Sequence, residues 1–136
     1  MLENIAVRIY RSASVEYNCA ETILLAGGER YGIDVCPQTL KALGPFGRGM
    51  QIESVCGALT GALSVIGLLF INKYQHESDM VEIVVNGFLK SFEEVMGTIS
   101  CMELRKRFRD ENAGCERIIK TAATNLEKTV KHYKNF

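Results

Sequence analysis

Residues 54–71, SVCGALTGALSVIGLLFI, are the one long run of this 136-residue chain without a formal charge. Such a stretch predicts a helix that is apolar all round, which must be enclosed by other helices or inserted in lipid. At about 18 residues it only just reaches the length of a membrane span. No cluster of lysine or arginine marks a flank, and the neighbouring segments have amphipathic helical patterns that need something to cover. The run therefore reads as the buried central helix of an all-α fold of six to seven helices. Gly57, Gly61 and Ser64 fall at i, i+4, i+7, a smooth stripe against which another helix can pack closely.

Working outward, the length suits one domain spanning residues 1–136, large enough to bury a core without disulfides. Sixteen basic residues balance sixteen acidic ones, so the whole chain has no electrostatic footprint for nucleic acid or an anionic membrane. The N-terminal residues show no basic segment followed by an apolar one, and a cytoplasmic location is expected. No insertion in a membrane is expected either.

Leu2, Ile5, Ala6 and Ile9 predict a first helix over 2–12. Asn18 with Glu21 makes a capping box that starts a second, ended by Gly32 and weakened at Gly27-Gly28, a place for another helix to approach. Cys36-Pro37 opens a short helix to about Leu43. The glycine-rich loop over 44–50 lacks the Lys-Ser/Thr of a phosphate-binding P-loop, and no strand precedes it. It reads as a turn that delivers the chain to the central helix, with Arg48 able to bring a positive charge to that helix's start. Asp79 and Glu82 resemble a cap before the stripe Val81, Val84, Val85, Phe88, Phe92, Val95 and Met96, which Gly97 ends. Ser100 and Glu103 match the S-x-x-E box of a short helix ending in Arg105, Lys106, Arg107 and Arg109, a basic run that the helix dipole explains. A last helix begins near 112–115, with Ile118, Ile119, Ala122, Leu126, Val130 and Tyr133 on one face.

The chemistry lies in the five cysteines. No CxxC, CxxCH or CxxxxCxxC occurs, so any site built from them must be assembled by the fold. Cys19, Cys56, Cys101 and Cys115 all fall at predicted helix N-termini, where unpaired N–H groups and the helix dipole stabilise a thiolate and lower its pKa. Cys36 precedes a proline in a peripheral helix and is left out of the site. His76 and His132 are isolated and expected at the surface. No catalytic residue, substrate or hydrolytic centre is assigned.

Asn18-Cys19-Ala20, then Cys56-Gly57-Ala58-Leu59-Thr60-Gly61, then Cys101 and Cys115 resemble the pattern of the C_GCAxxG_C_C family of redox-active proteins over nearly the whole chain. The most specific part is CGALTG, which is similar to that family's CGAxxG. Arg48 interrupts a loop that is often all small residues in the family. The resemblance implies four functional cysteines and an iron–sulfur cluster or another prosthetic group. Thiolate ligands suit zinc equally, and pairs of thiols cycling through disulfides form a third reading. Cys19, Cys56, Cys101 and Cys115 are the expected metal ligands. Gly57 and Gly61 are expected either to admit a packing helix or to leave room for the cluster and expose N–H groups to its sulfides. The expected partner is a redox protein of unidentified kind, and a homodimer would cover any apolar patch left on the helical shell.

Overall fold

In the computed structural model, which describes residues 1–134, the chain forms α1 (Leu2–Tyr10), α2 (Cys19–Tyr31), α3 (Pro37–Leu43), α4 (Gly57–Phe70), α5 (Met80–Met96), α6 (Cys101–Phe108) and α7 (Glu116–Lys134). Among the described residues the only β pairing is two isolated bridges, Val55 with Ser100 and Asp110 with Gly114. The all-α expectation holds. No described helix is long and apolar enough to cross a membrane.

The charge-free run is shorter as a helix than its composition suggested. Residues 54–56 are not helical, because Val55 pairs with Ser100, and α4 starts only at Gly57. Nor is α4 enclosed on every side. Ala58, Leu59, Ala62, Val65 and Ile66 are fully buried, while Leu68 is 46% exposed on the opposite face. Its main neighbour is α2, with α5 and α7 packed beside it.

The close approach of α2 and α4 rests on glycine. A β-carbon at Gly61 would stand 2.5 Å from the Ala20 carbonyl oxygen and 2.9 Å from the Ala20 Cα, and one at Gly27 would stand 2.5 Å from a Val65 methyl. Ser64 does not continue the stripe. Its hydroxyl donates to the Thr60 carbonyl at 3.2 Å, and it borders a shallow groove with Leu43 and Phe46.

The helix ends follow the local sequence closely. Glu21 N–H donates to the Asn18 side chain at 2.9 Å, while Asn18 N–H donates to Glu21 at 3.0 Å. Gly32 and Gly97 close α2 and α5 at φ 68° and 83°. Ser100 makes only half of its box, accepting from Glu103 N–H at 3.4 Å. Asp79 makes no side-chain cap; Ser78 instead accepts from Met80 N–H at 3.1 Å. Val84, Phe88, Phe92 and Met96 bury the α5 stripe as the period requires, but Val95 is 64% exposed at its edge.

The loop between α3 and α4 holds the one backbone feature that the sequence does not announce. Arg48, Gly49, Met50 and Gln51 have φ of 52°, 60°, 60° and 66°, four consecutive residues in the left-handed region, and Glu53 follows at 56°. Each non-glycine residue there costs about 1–2 kcal/mol, so tertiary contacts must hold the turn. Ser54 N–H donates to the Gly49 carbonyl at 2.9 Å, and the Gln51 side chain donates to the Gly47 carbonyl at 2.9 Å. Beyond the turn, Cys101 N–H donates to the Ser54 carbonyl and Cys56 N–H to the Ile99 carbonyl. The turn thereby lays the start of α4 against the start of α6.

Asn18 couples the cap of α2 to this loop, since its amide also donates to the Gly44 carbonyl at 3.0 Å. Asn18→Ala should lower stability by about 0.5–2 kcal/mol, the range for loss of an N-cap. Urea unfolding of the variant measures it.

Candidate functional site

Each of the four cysteines at the α2, α4, α6 and α7 starts is positioned by a separate device. Cys19 is the first residue of α2, behind the Asn18 capping box. Cys56 is the N-cap of α4, and its carbonyl accepts from Thr60 N–H. Cys101 is the first residue of α6, behind Ser100. The Cys115 carbonyl accepts the first helical bond of α7, from Ile119 N–H at 3.0 Å.

The start of α7 is held by α1, 105 residues away in sequence. The Tyr10 hydroxyl accepts from Cys115 N–H at 3.0 Å and Arg11 forms an ion pair with Glu116. Further along the pair of helices, Thr124 donates to Glu3 at 2.7 Å. No local pattern in the sequence marks Tyr10 for this role.

Cys19, Cys56, Cys101 and Cys115 all line one cavity of about 420 Å³ that opens to solvent. Gly57 lines it too. Gly61 does not; it lies against the backbone of Ala20, one turn further along α4. Cys36 is exposed elsewhere and pairs with the Thr39 hydroxyl at 3.1 Å. His76 and His132 are exposed.

The thiols do not share one electrostatic fate. Helix N-termini predict a lowered pKa at all four, but burial outweighs them at Cys56 and Cys101, and the neighbouring Cys115 does so at Cys19. Desolvation pushes Cys56 up to about 12 against the backbone N–H groups of Ala58 and Leu59, and it raises Cys101 as well. Cys19 is raised first by its hydrogen bond with Cys115 and then by burial. Cys115 alone is lowered, to about 6, first because the Cys19 thiol donates to it and then because Arg105 and Arg109 lie near. Within the pair Cys19 is thus the more basic thiol and Cys115 the more acidic.

Arg48, Arg105 and Arg109 belong to the same cavity wall. Glu53 reaches Arg105 at 3.4 Å and Arg48 at 4.0 Å. The basic run at the end of α6, which the sequence reading assigned to the helix dipole, therefore contributes two residues to the site. A signal for them exists in the spacing. Cys101, Arg105 and Arg109 stand at i, i+4, i+8 and so share one face.

Among the described residues, no three or more histidine, cysteine, aspartate or glutamate side chains are grouped as a single metal ion requires. The four thiols line one cavity, with Cys19 and Cys115 beside each other in it. A single tetrahedral zinc ion, with all four thiolates within about 2.3 Å, fits this arrangement poorly. A four-iron cluster asks for less convergence, since it takes one thiolate per iron. The four thiols that line the cavity are a donor set shared by iron–sulfur and zinc centres.

Against known proteins, the model of the C_GCAxxG_C_C family, described as "putative redox-active protein", matches residues 17–129. No curated protein and no solved structure matches this chain.

Proposed function

Because the chain belongs to the C_GCAxxG_C_C family of redox-active proteins, we propose that it is an electron carrier whose Cys19, Cys56, Cys101 and Cys115 hold an iron–sulfur cluster. The observation that carries the reading is the enclosure of one cavity by these four thiols, each delivered by a different helix start. When bound, such a cluster supplies one-electron transfer at a potential set by its charge, hydrogen bonding and exposure.

The chain's own residues do the rest. The four helix N-termini and the arginines at the wall place positive charge around thiolates that burial alone would keep protonated. Gly57 leaves the wall free of a side chain where a β-carbon would come within 3.0 Å of the Phe46 carbonyl and 3.4 Å of the Cys19 β-carbon. Its lack of a side chain keeps the approach to Cys19 clear. Leu104 and Ile118, both buried at the floor of the cavity, keep water from that side.

A metal-free reading is favoured by the placement of Cys19 beside the acidified Cys115 in one cavity. The Cys115 thiolate would attack the disulfide of a partner protein and release one partner thiolate. Cys19, losing its proton, would then displace the other, leaving a Cys19–Cys115 disulfide and a dithiol partner.

Iron, acid-labile sulfide and zinc measured per chain, on protein purified without oxygen, separate these readings. The expected result is iron with equal sulfide, largely lost in a Cys56→Ser variant whose circular dichroism stays helical. Zinc without sulfide would replace the cluster by a structural site. Neither metal, with Cys19 and Cys115 oxidising as a pair, would leave the thiol–disulfide reading in its place.

A further inference from the structure

The cavity lined by the four cysteines is open to solvent, Cys19 and Cys115 are only partly buried in it, and its outer wall is cationic. Arg48, Arg105 and Arg109 line it against a single lining carboxylate, Glu16. Glu53 is shared between Arg48 and Arg105, and no carboxylate among the described residues lies within ion-pairing distance of Arg109. Arg105 is only 29% exposed at its side chain, so its charge faces the cavity through poorly screened surroundings.

Arg48 joins them from the turn before α4. It is the first of the four left-handed residues, at φ 52° and ψ 39°, a conformation that glycine or asparagine would occupy at lower cost. Met50, Gln51 and Glu53 share that conformation, so the strain belongs to the turn as a whole, and the turn sets Arg48 at the rim of the cavity. The guanidinium group offers a planar fork of N–H donors suited to paired oxygens.

We propose that Arg48, Arg105 and Arg109 form a binding site for a small oxyanion, a carboxylate or an inorganic oxyanion, at the mouth of the cysteine cavity and within reach of the Cys115 sulfur. The inference deepens the redox reading by naming the class of molecule that approaches the thiols. Only binding is claimed, so it also holds for the cavity without a cluster.

The test uses the full chain, metal-free and anaerobic, at low ionic strength. Cys115 and Cys36 are labelled with iodoacetate, an anion, and with iodoacetamide, its neutral counterpart, and the rates are read by mass spectrometry of each peptide. Because both reagents attack the same thiolate, the rate ratio cancels each thiol's ionisation and reports the local field. Cys36 is exposed and belongs to no part of this wall, so it is the internal reference. The iodoacetate to iodoacetamide ratio should be about tenfold higher at Cys115 than at Cys36, as expected for a cationic cleft that concentrates anions. Arg109→Met should remove much of the excess and Arg109→Lys should keep part of it.

Saturable protection of Cys115 against iodoacetamide by phosphate or by acetate, absent with chloride at equal ionic strength, identifies a site and tells the two kinds of oxyanion apart. Equal ratios at Cys115 and Cys36, or protection that follows ionic strength alone, overturn the proposal without needing any variant. Iron and sulfide content is a separate measurement, so a failed anion site and a failed cluster are told apart.

Discussion

In the metal-free protein at pH 7, iodoacetamide should modify Cys115 at least about a hundredfold faster than Cys56, and the Cys115 rate should rise through a midpoint near pH 6. With its pKa lowered to about 6 by the Cys19 hydrogen bond and the two arginines, Cys115 is mostly thiolate at neutral pH. Cys56, pushed up to about 12 by burial, holds only about one part in 10⁵ as thiolate. Acidic thiols are weaker nucleophiles, and a Brønsted slope of about 0.5 over six pH units gives back about a thousandfold. The balance still favours Cys115 by about a hundredfold, before the 4% exposure of Cys56 adds its own barrier. Comparable rates, or a Cys115 midpoint near the ordinary 8.5 or so of a free thiol, would refute this electrostatic account.

The same shifts fix the sign of a stability change with pH. Between the folded and unfolded pKa of Cys115, the unfolded chain binds a proton that the folded one does not. Its contribution is therefore full above about 8.5 and lost as pH falls toward 6. Cys56 behaves in the opposite sense. Its folded thiol keeps a proton that the unfolded chain gives up, so its contribution is full below about 8.5 and lost as pH rises toward 12. Cys19 and Cys101, raised as well, act in the same sense as Cys56, so Cys56→Ser should remove part of the alkaline fall in a melting-temperature profile and leave the acid side unchanged.

What was legible in the sequence was most of what depends on neighbours along the chain, the Asp79 cap and the second half of the Ser100 box excepted. The Asn18 box, the Pro37 start and the Gly32 and Gly97 stops are satisfied within a turn of the residues that signal them. The amphipathic stripes of α5 and α7 follow from periodicity alone. The misplaced start of α4 had a different cause, because a bridge from Val55 to Ser100 claims backbone that composition assigned to the helix. The left-handed turn over 48–51 is held by contacts with residues before and after it, and three of its four members are not glycine. Tyr10 joined the cavity through tertiary packing that no local pattern encodes, whereas Arg105 and Arg109 share with Cys101 a face that their spacing already marks. Burial and the placing of Cys115 beside Cys19 are tertiary too, which is why a rule about helix N-termini gave the wrong direction for three of the four thiol pKa values.

Glycine at position 61 should matter more for the site than its distance from the cavity suggests. Gly61→Ala places a methyl group 2.5 Å from the carbonyl oxygen of Ala20 and 2.9 Å from its Cα, atoms of backbone that cannot rotate away. Relief requires α2 and α4 to separate, a cost of about 1–3 kcal/mol for an overpacked core. Gly67, on the same helix, meets nothing nearer than an Ile71 methyl carbon at 3.8 Å, so Gly67→Ala should stabilise by about 0.5–1 kcal/mol through helix propensity. The two changes add the same methyl group to one helix and should move the melting temperature in opposite directions. Ala20 follows Cys19 directly, and Gly61 lies little more than one turn after Cys56. The displacement that relieves Gly61→Ala thus moves apart the two helix starts that carry these cysteines. The variant, still folded at low temperature, should bind less iron per chain than Gly67→Ala does where the four cysteines hold the proposed cluster. Equal iron content in the two would mean that the cysteine spacing tolerates the shift, and that CGALTG owes its second glycine to packing alone.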